Sequence, residues 1–128
     1  MKVKRALFFA RISVFIVMAL WAIDKLINPE HAGKVFEKFY FMKGLGSEVF
    51  FVIGIAQLAI YVGFLLGAKK NITYMLVLIM HGLSTLSTYQ QLANPFEARN
   101  MLFLAALPML AACYFLWTMR EQDTLFNI

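Results

Sequence analysis

Apolar residues dominate four stretches of the chain, and polar or charged residues separate them. The stretches cover residues 7–27, 47–67, 72–92 and 101–117. Each is close to the roughly 20 residues that an α-helix needs to cross a bilayer. Together they use most of the chain and leave no room for a soluble domain. We therefore predict an all-α integral membrane protein, a four-transmembrane-helix bundle in which residues 1–128 form one membrane domain.

The segment between the first two stretches, residues 29–42, has an amphipathic pattern. Pro29 favours the start of a helix, and Gly44 and Gly46 predict its end. The apolar side of such a helix carries Val35, Phe36, Phe39 and Tyr40. Its charged side carries Lys34, Glu37 and Lys38. This pattern is typical of a short helix that lies in the membrane interface, here on the outer leaflet.

The third stretch carries a stripe of polar side chains inside an apolar helix. On a helical period His81, Ser84, Thr85 and Thr88 share one face, and Gln91 lies just beyond it. Because hydrocarbon cannot solvate an imidazole or a hydroxyl group, this face must turn toward protein or water. We therefore expect the other helices to cover it.

Polar residues of the other stretches fall at matching depths. A rise of about 1.5 Å per residue puts Gln57 and His81 near the midplane and Asp24 roughly 10 Å to the outer side. If these faces converge, they form a ligand-binding pocket that opens outward. Its predicted lining is Asp24, Gln57, Tyr61, His81, Ser84, Thr88 and Gln91.

Two interpretations of the ionisable pocket residues stay open. His81 either donates to a bound carbonyl or quinone-like head group, or it is neutral and bonds Gln57 or a serine to join helices. Asp24 either relays protons or holds a cation, or it pairs with Arg99 or Lys25 near the outer interface. The sequence shows no catalytic motif, and its two histidines lack ligand partners at metal-binding spacing. We therefore predict no catalytic residues and no metal site.

Composition and charge agree with a membrane protein. The chain is 62% hydrophobic and 15% charged, with a mean hydropathy of +0.72. Its net charge of +5 lies at the ends of the apolar stretches, which is typical of snorkelling anchors such as Arg11 rather than of a nucleic-acid-binding face. The basic N-terminus and the larger share of flanking Lys and Arg predict that both termini are cytoplasmic.

Two local features concern the end of the chain. Pro108 lies within the fourth stretch and predicts a kink, or a backbone carbonyl that is freed for another partner. The tail at residues 119–128 is short and polar at its start, so we expect order in it only near the membrane. The single Cys113 cannot form a disulfide within the chain.

Short motifs in the first two stretches resemble the DoxX-like family of small four-span membrane proteins. The likeness lies in Gly54-x-x-Gln57, in Gly67 followed by Lys69-Lys70, and in residues 20–26, LWAIDKL. Gln57 stands where the family commonly has Glu, and Trp21-Ala22 where it commonly has glycine. The resemblance implies a four-helix bundle and, for some members, membrane subunits of quinone-linked sulfur oxidation or other redox complexes.

These features predict an accessory or subunit protein of the bacterial inner membrane that is not an enzyme on its own. It would bind a hydrophobic, quinone-like molecule or a partner membrane protein through the polar pocket. One alternative is a proton-handling component of a quinone-linked membrane oxidoreductase, in which His81 and Asp24 move protons. A further alternative is a small transporter that works as a homo-oligomer, since four short spans enclose little volume. The lipid bilayer is the predicted surrounding in each case, and nucleic acid is not a predicted partner.

Overall fold

The computed structural model describes residues 2–127, and over that range the chain forms helices, turns and bends with no strand. The helices are α1 (Lys2–Ile27), α2 (Pro29–Phe39), α3 (Ser47–Leu65), α4 (Lys70–Ser87), α5 (Tyr89–Ala93), a 3₁₀ helix (Asn100–Ala105) and α6 (Ala106–Thr118). The predicted all-α class is confirmed. The helices begin and end close to the predicted apolar stretches, except in the third.

Within residues 2–127, three helical segments are long and apolar enough to cross a membrane: Lys2–Ile27, Ser47–Leu65 and Asn100–Thr118. Large apolar side chains on these segments remain exposed, among them Phe9 at 66%, Val52 at 65% and Leu102 at 73%. Apolar surface of this extent would be unfavourable in water and is favourable against lipid tails. The structure therefore supports a membrane protein. α4 is not among these three segments, and polar residues occupy its first turn and one of its faces.

The four longest helical segments alternate in direction. At one end of the molecule, the tail end, Asp123 and Asn127 contact Arg11 of α1, Lys70 of α4 and the turn after α3. At the other end, α2 and the residue that follows it contact all four segments, through the pairs His31–Asp24, Phe36–Phe50, Phe39–Phe103 and Tyr40–Ser84. α1 and α4 therefore run away from the tail end, and α3 and α6 run back to it.

α1 and α3 approach closely where Gly54 faces the end of α1. A Cβ atom at Gly54 would lie 3.0 Å from the backbone oxygen of Ala22 and 2.8 Å from the side chain of Leu26. A small residue at such a crossing lets two membrane helices pack backbone to backbone. The fully buried core continues from this contact toward the tail end, through Val14, Tyr61, Phe64, Tyr74, Val77, Cys113 and Leu116.

The sequence predicted one helix over the third apolar stretch. The structure has two, because α4 ends at Ser87 and α5 begins at Tyr89. The Ser87 hydroxyl donates to the Ser84 carbonyl (2.6 Å) and the Thr88 hydroxyl to the Thr85 carbonyl (2.8 Å). Hydroxyl groups that bond to nearby carbonyls compete with the helical backbone. Four hydroxyl residues among the five at 84–88 therefore end α4 before the apolar pattern does.

Pro108, where a kink or a freed backbone carbonyl was predicted, lies in the first turn of α6. A 3₁₀ helix, Asn100–Ala105, changes to the α-helix that begins at Ala106, two residues before the proline. Proline has no N–H to donate and its ring crowds the carbonyl of the preceding turn, so it fits the first turn of a helix. The fourth stretch thus reaches its full length by joining two kinds of helix.

Candidate functional site

The polar face of α4 turns toward the neighbouring helices, as expected. His81 is only 8% exposed, and its Nε2 atom lies 3.1 Å from the backbone oxygen of Ala106. Thr85 packs beside it, with Oγ1 3.4 Å from Nε2 and 2.8 Å from the His81 carbonyl oxygen. His81 therefore joins α4 to α6 through a backbone carbonyl, whereas Gln57 or a serine had been the predicted partner. Its Nε2 hydrogen is used within the protein.

Gln57 and Tyr61 lie one turn apart on α3 and both face Met80 of α4. The sulfur of Met80 is 3.9 Å from Gln57 Nε2 and 3.8 Å from the Tyr61 hydroxyl. A thioether sulfur is a weak acceptor, so neither donor has a strong partner. The Gln57 Oε1 atom is buried and has no hydrogen-bond partner within residues 2–127. These two side chains keep hydrogen-bonding capacity that the protein itself does not use.

Ser84, Thr88 and Gln91 continue the α4 stripe toward the α2 end. Ser84 Oγ lies 2.8 Å from the hydroxyl of Tyr40, the residue that follows α2. Thr88 bonds to its own backbone turn, and Gln91 is half-buried in α5. Ser84 and Thr88 thus have partners in the protein, and Ser84 ties α4 to the segment after α2.

Asp24 pairs with His31 instead of the predicted Arg99 or Lys25. Asp24 Oδ2 lies 2.6 Å from His31 Nδ1, and the ring of Trp21 stacks on the His31 ring at 5.9 Å. The Asn28-Pro29 turn reverses the chain after α1 and brings residues seven apart together. Both side chains are partly exposed, 24% for Asp24 and 45% for His31. Asp24 therefore links α1 to α2 at the surface, apart from the contacts of Gln57.

A buried charged cluster at the tail end was missed by the sequence analysis. Arg11 and Asp123 are both fully buried, with Arg11 Nη1 3.6 Å from Asp123 Oδ1. The Tyr74 hydroxyl donates to Asp123 Oδ2, and Arg11 also donates to Asn127 Oδ1 and to the Leu125 carbonyl. The prediction that Arg11 snorkels to the membrane edge is therefore wrong. The tail brings a carboxylate and two further acceptors to its guanidinium, whereas the buried Arg11 Nε atom has no hydrogen-bond partner within residues 2–127.

Lys70 and Gly67 complete the docking of this tail. Lys70 Nζ donates to the Arg120 carbonyl (3.1 Å) and to the Asp123 carbonyl. Burial lowers the pKa of Lys70 from its ordinary value, an effect that Asp123 opposes and Arg11 reinforces. Gly67 has φ +70°, and a Cβ atom there would lie 2.5 Å from the Asn127 side chain. Residues 119–127 thus pack against the helices, whereas the sequence analysis expected order only in the part of the tail near the membrane.

Comparisons of the chain with protein-family models, with curated proteins and with solved structures found no match. The chemistry of the side chains is therefore the basis for a functional interpretation. Within residues 2–127 no group of three His, Cys, Asp or Glu side chains could hold a metal ion. The groups with unused capacity near the middle of the molecule are the neutral amide of Gln57 and the phenol of Tyr61. They can bind a ligand by hydrogen bonds, with no change of charge.

Proposed function

We propose that the protein crosses the membrane four times, through α1, α3, the α4–α5 segment and the segment that joins the 3₁₀ helix to α6. α4 connects the same two ends of the molecule as the three apolar segments. Its polar face has protein partners at His81 and Ser84. Its opposite face exposes the large apolar side chains of Ile72, Met75, Ile79, Leu83 and Leu86, and the exposed polar Asn71 lies in the first turn of the helix. A helix of this kind is stable in lipid when its polar face is covered.

We propose that α2 lies in the outer interface of a bacterial inner membrane. Ala32 is buried against the helices and Phe36 packs edge-on against Phe50 of α3, whereas Lys34 and Lys38 are exposed. The basic N-terminus, the turn before α4 and Arg120 all lie at the tail end. The excess of Lys and Arg on cytoplasmic flanks then assigns the tail end, with both termini, to the cytoplasm.

The resemblance to DoxX-like proteins is part of this proposal. Two glycines carry much of that resemblance, and each has a structural reason to be glycine here. Gly54 lies at the close approach of α1 and α3, and Gly67 has a positive φ beside Asn127. Larger residues would be strained at both positions. This agreement supports membership of the family.

We propose that the protein is an accessory or subunit protein that binds a hydrophobic, quinone-like molecule between α3 and α4, and that the hydroxyl-bearing quinol form fits best. The observation that carries the proposal is the buried Gln57 Oε1 atom with no partner in the described chain. A buried unsatisfied amide oxygen costs about 1–3 kcal/mol, and a ligand that donates to it would recover part of that cost. Tyr61 O–H and Gln57 N–H can donate to a quinone carbonyl, and Gln57 Oε1 can accept from a quinol hydroxyl. The flexible Met80 side chain can move to admit the ring.

The test is isothermal titration calorimetry of the detergent-solubilised protein with a short-chain ubiquinone or menaquinone analogue, each in its oxidised quinone form and its reduced quinol form. Gln57→Leu and Tyr61→Phe should each weaken binding by roughly 2- to 10-fold, the effect of losing one ordinary hydrogen bond. Gln57→Leu should also raise thermal stability, because it removes a buried oxygen without a partner. His81→Ala is the matched control, since it should lower stability and leave the affinity unchanged.

Lipid extraction and mass spectrometry of the purified protein provide an independent measurement, and a co-purified quinone would support the proposal. If neither quinone analogue binds the wild-type protein, the proposed ligand is wrong. Equal affinities for the wild type, Gln57→Leu and Tyr61→Phe would instead place the ligand elsewhere. A loss of binding only in His81→Ala would move the site to the α4–α6 contact.

A further inference from the structure

The tail end carries an open groove that is separate from Gln57 and Tyr61. The groove, which we call the basic groove, has a volume of about 470 Å³ and is lined by Lys69, Lys70, Asn71, Ile72, Arg120 and Glu121. Three of these side chains are cationic and one is acidic. The basic groove therefore carries a net positive charge at the edge of the proposed membrane-spanning region.

Arg120 is held in place at the wall of this groove. Its Nε atom donates to Asn71 Oδ1 (2.7 Å) and its Nη1 atom to the Trp117 carbonyl (2.8 Å). The guanidinium also lies over the Trp117 ring, 3.8 Å from its centroid. These three contacts do not involve the Nη2 group, which has no hydrogen-bond partner in residues 2–127. A guanidinium that is already oriented loses little entropy when it binds a phosphate.

The two lysines of the groove have different roles. Lys70 donates to two tail carbonyls, so it forms part of the structure that holds the tail. Lys69 is exposed and makes no side-chain hydrogen bond within the described chain, so its ammonium group is available to an anion. The lining of the groove thus offers an anion the ammonium group of Lys69 and the Nη2 group of Arg120.

One side of the groove is apolar and continues along the outside of α4. Ile72, within the lining, is 55% exposed, and Met75 and Ile79 follow on the same side at 40% and 48%. Side chains spaced by three and four residues form one continuous strip on a helix. An anion at Lys69 and Arg120 that also carries an acyl chain would use both the charged and the apolar parts. Inorganic phosphate would use only the first.

We infer that the basic groove binds the phosphate head group of an anionic phospholipid from the cytoplasmic leaflet, with an acyl chain along the exposed strip of α4. The inference rests on the proposed membrane topology and is independent of quinone binding. Basic residues at a cytoplasmic membrane surface attract anionic lipids, and each adds roughly fivefold in affinity. Trp117 beneath Arg120 suits the same depth, because tryptophan concentrates at membrane interfaces.

The experiment measures lipid binding to the delipidated protein in a neutral detergent by native mass spectrometry, with thermal stability as a second readout. Phosphatidylglycerol, phosphatidylcholine and inorganic phosphate are added in separate arms. Phosphatidylglycerol should bind at least tenfold more tightly than phosphatidylcholine and raise the melting temperature. Inorganic phosphate should leave the melting temperature unchanged at the same concentration.

Two substitutions locate the site. Lys69→Asn and Arg120→Gln together should weaken phosphatidylglycerol binding by roughly 30-fold, and quinone titration of the same variant should be unaffected. Lys34→Gln with Lys38→Gln is the matched control, since it removes two exposed lysines at the α2 end. Lys69→Asn alone covers the case in which the double variant fails to fold. Lys69 has φ +47°, which asparagine tolerates, and this variant should lose roughly fivefold.

Equal phosphatidylglycerol binding by the wild type and Lys69→Asn would overturn the inference, as would a larger loss in the Lys34 and Lys38 control. Stabilisation by inorganic phosphate equal to that by phosphatidylglycerol would assign the groove to a free phosphate and refute the lipid assignment. Because the quinone assay reports on Gln57 and Tyr61, its failure and the failure of lipid binding are distinguishable.

Discussion

Replacing Asp123 by asparagine leaves the guanidinium of Arg11 buried without a counter-charge. Both side chains are fully buried, and the charged atoms lie 3.6 Å apart. Removing one partner of a buried ion pair costs about 3–5 kcal/mol. Because 3.6 Å exceeds a hydrogen-bond distance and asparagine can still accept from Tyr74, we expect the lower value, about 3 kcal/mol. Most of that cost is the desolvated arginine charge, not the lost contact.

A double-mutant cycle separates these two contributions. Arg11→Met alone should be destabilising by a similar amount, since it leaves the Asp123 carboxylate buried beside Tyr74. The variant that combines Arg11→Met with Asp123→Asn holds neither charge, so its loss should be at least about 2 kcal/mol smaller than the sum of the single losses. Glu121→Gln is the control, because this exposed tail residue should change stability by no more than about 0.5 kcal/mol.

The assay is denaturant unfolding of the protein in detergent micelles, followed by circular dichroism, with hydrogen exchange of the tail amides measured in parallel. Asp123→Asn should unfold at a lower denaturant concentration than the wild type. Its amide hydrogens in residues 119–127 should exchange faster than those of the wild type, and earlier than the amide hydrogens of the helices. If Asp123→Asn lies within about 1 kcal/mol of the wild type, or if the single losses are additive, then the ion pair does not hold the tail.

Two glycine substitutions test close approaches in the fold. Gly67→Ala should destabilise the protein by about 1–3 kcal/mol, because alanine is strained at φ +70° and its Cβ atom would meet Asn127. The control is Gly46→Ala, which should cost under about 1 kcal/mol in the same unfolding assay because Gly46 has open space around it. Equal losses in the two variants would contradict this account. Gly54→Val should cost about 1–3 kcal/mol by forcing α1 and α3 apart, whereas Ala56→Val on an exposed part of α3 should be near neutral. A tolerated Gly54→Val, measured by thermal unfolding in detergent, would show that the two helices separate readily.

The local sequence determined the helices of this protein and the direction in which the polar face of α4 points. Runs of apolar residues, an amphipathic segment after Pro29 and a polar stripe beginning at His81 are properties of neighbouring residues. The preference of these side chains for hydrocarbon or for water does not depend on distant parts of the chain. For that reason the presence of α1, α2 and α3 and the burial of His81 could be predicted, whereas the start of α1 and the end of α2 differ from the predicted bounds. The break at Thr88 could not, because the competition of hydroxyl groups with the helix depends on rotamers that the apolar pattern does not reveal.

Tertiary structure decided which partner each polar group has. An arginine inside an apolar stretch signals a need for acceptors, but Arg11 finds them in a tail more than 100 residues later, at Asn127 and Asp123. His81 bonds to a backbone carbonyl, which every residue possesses, so its partner had no signature in the sequence. Asp24 meets His31 only because the chain turns back at Asn28. The need for a partner is a property of one side chain, whereas the identity of the partner depends on how the helices pack.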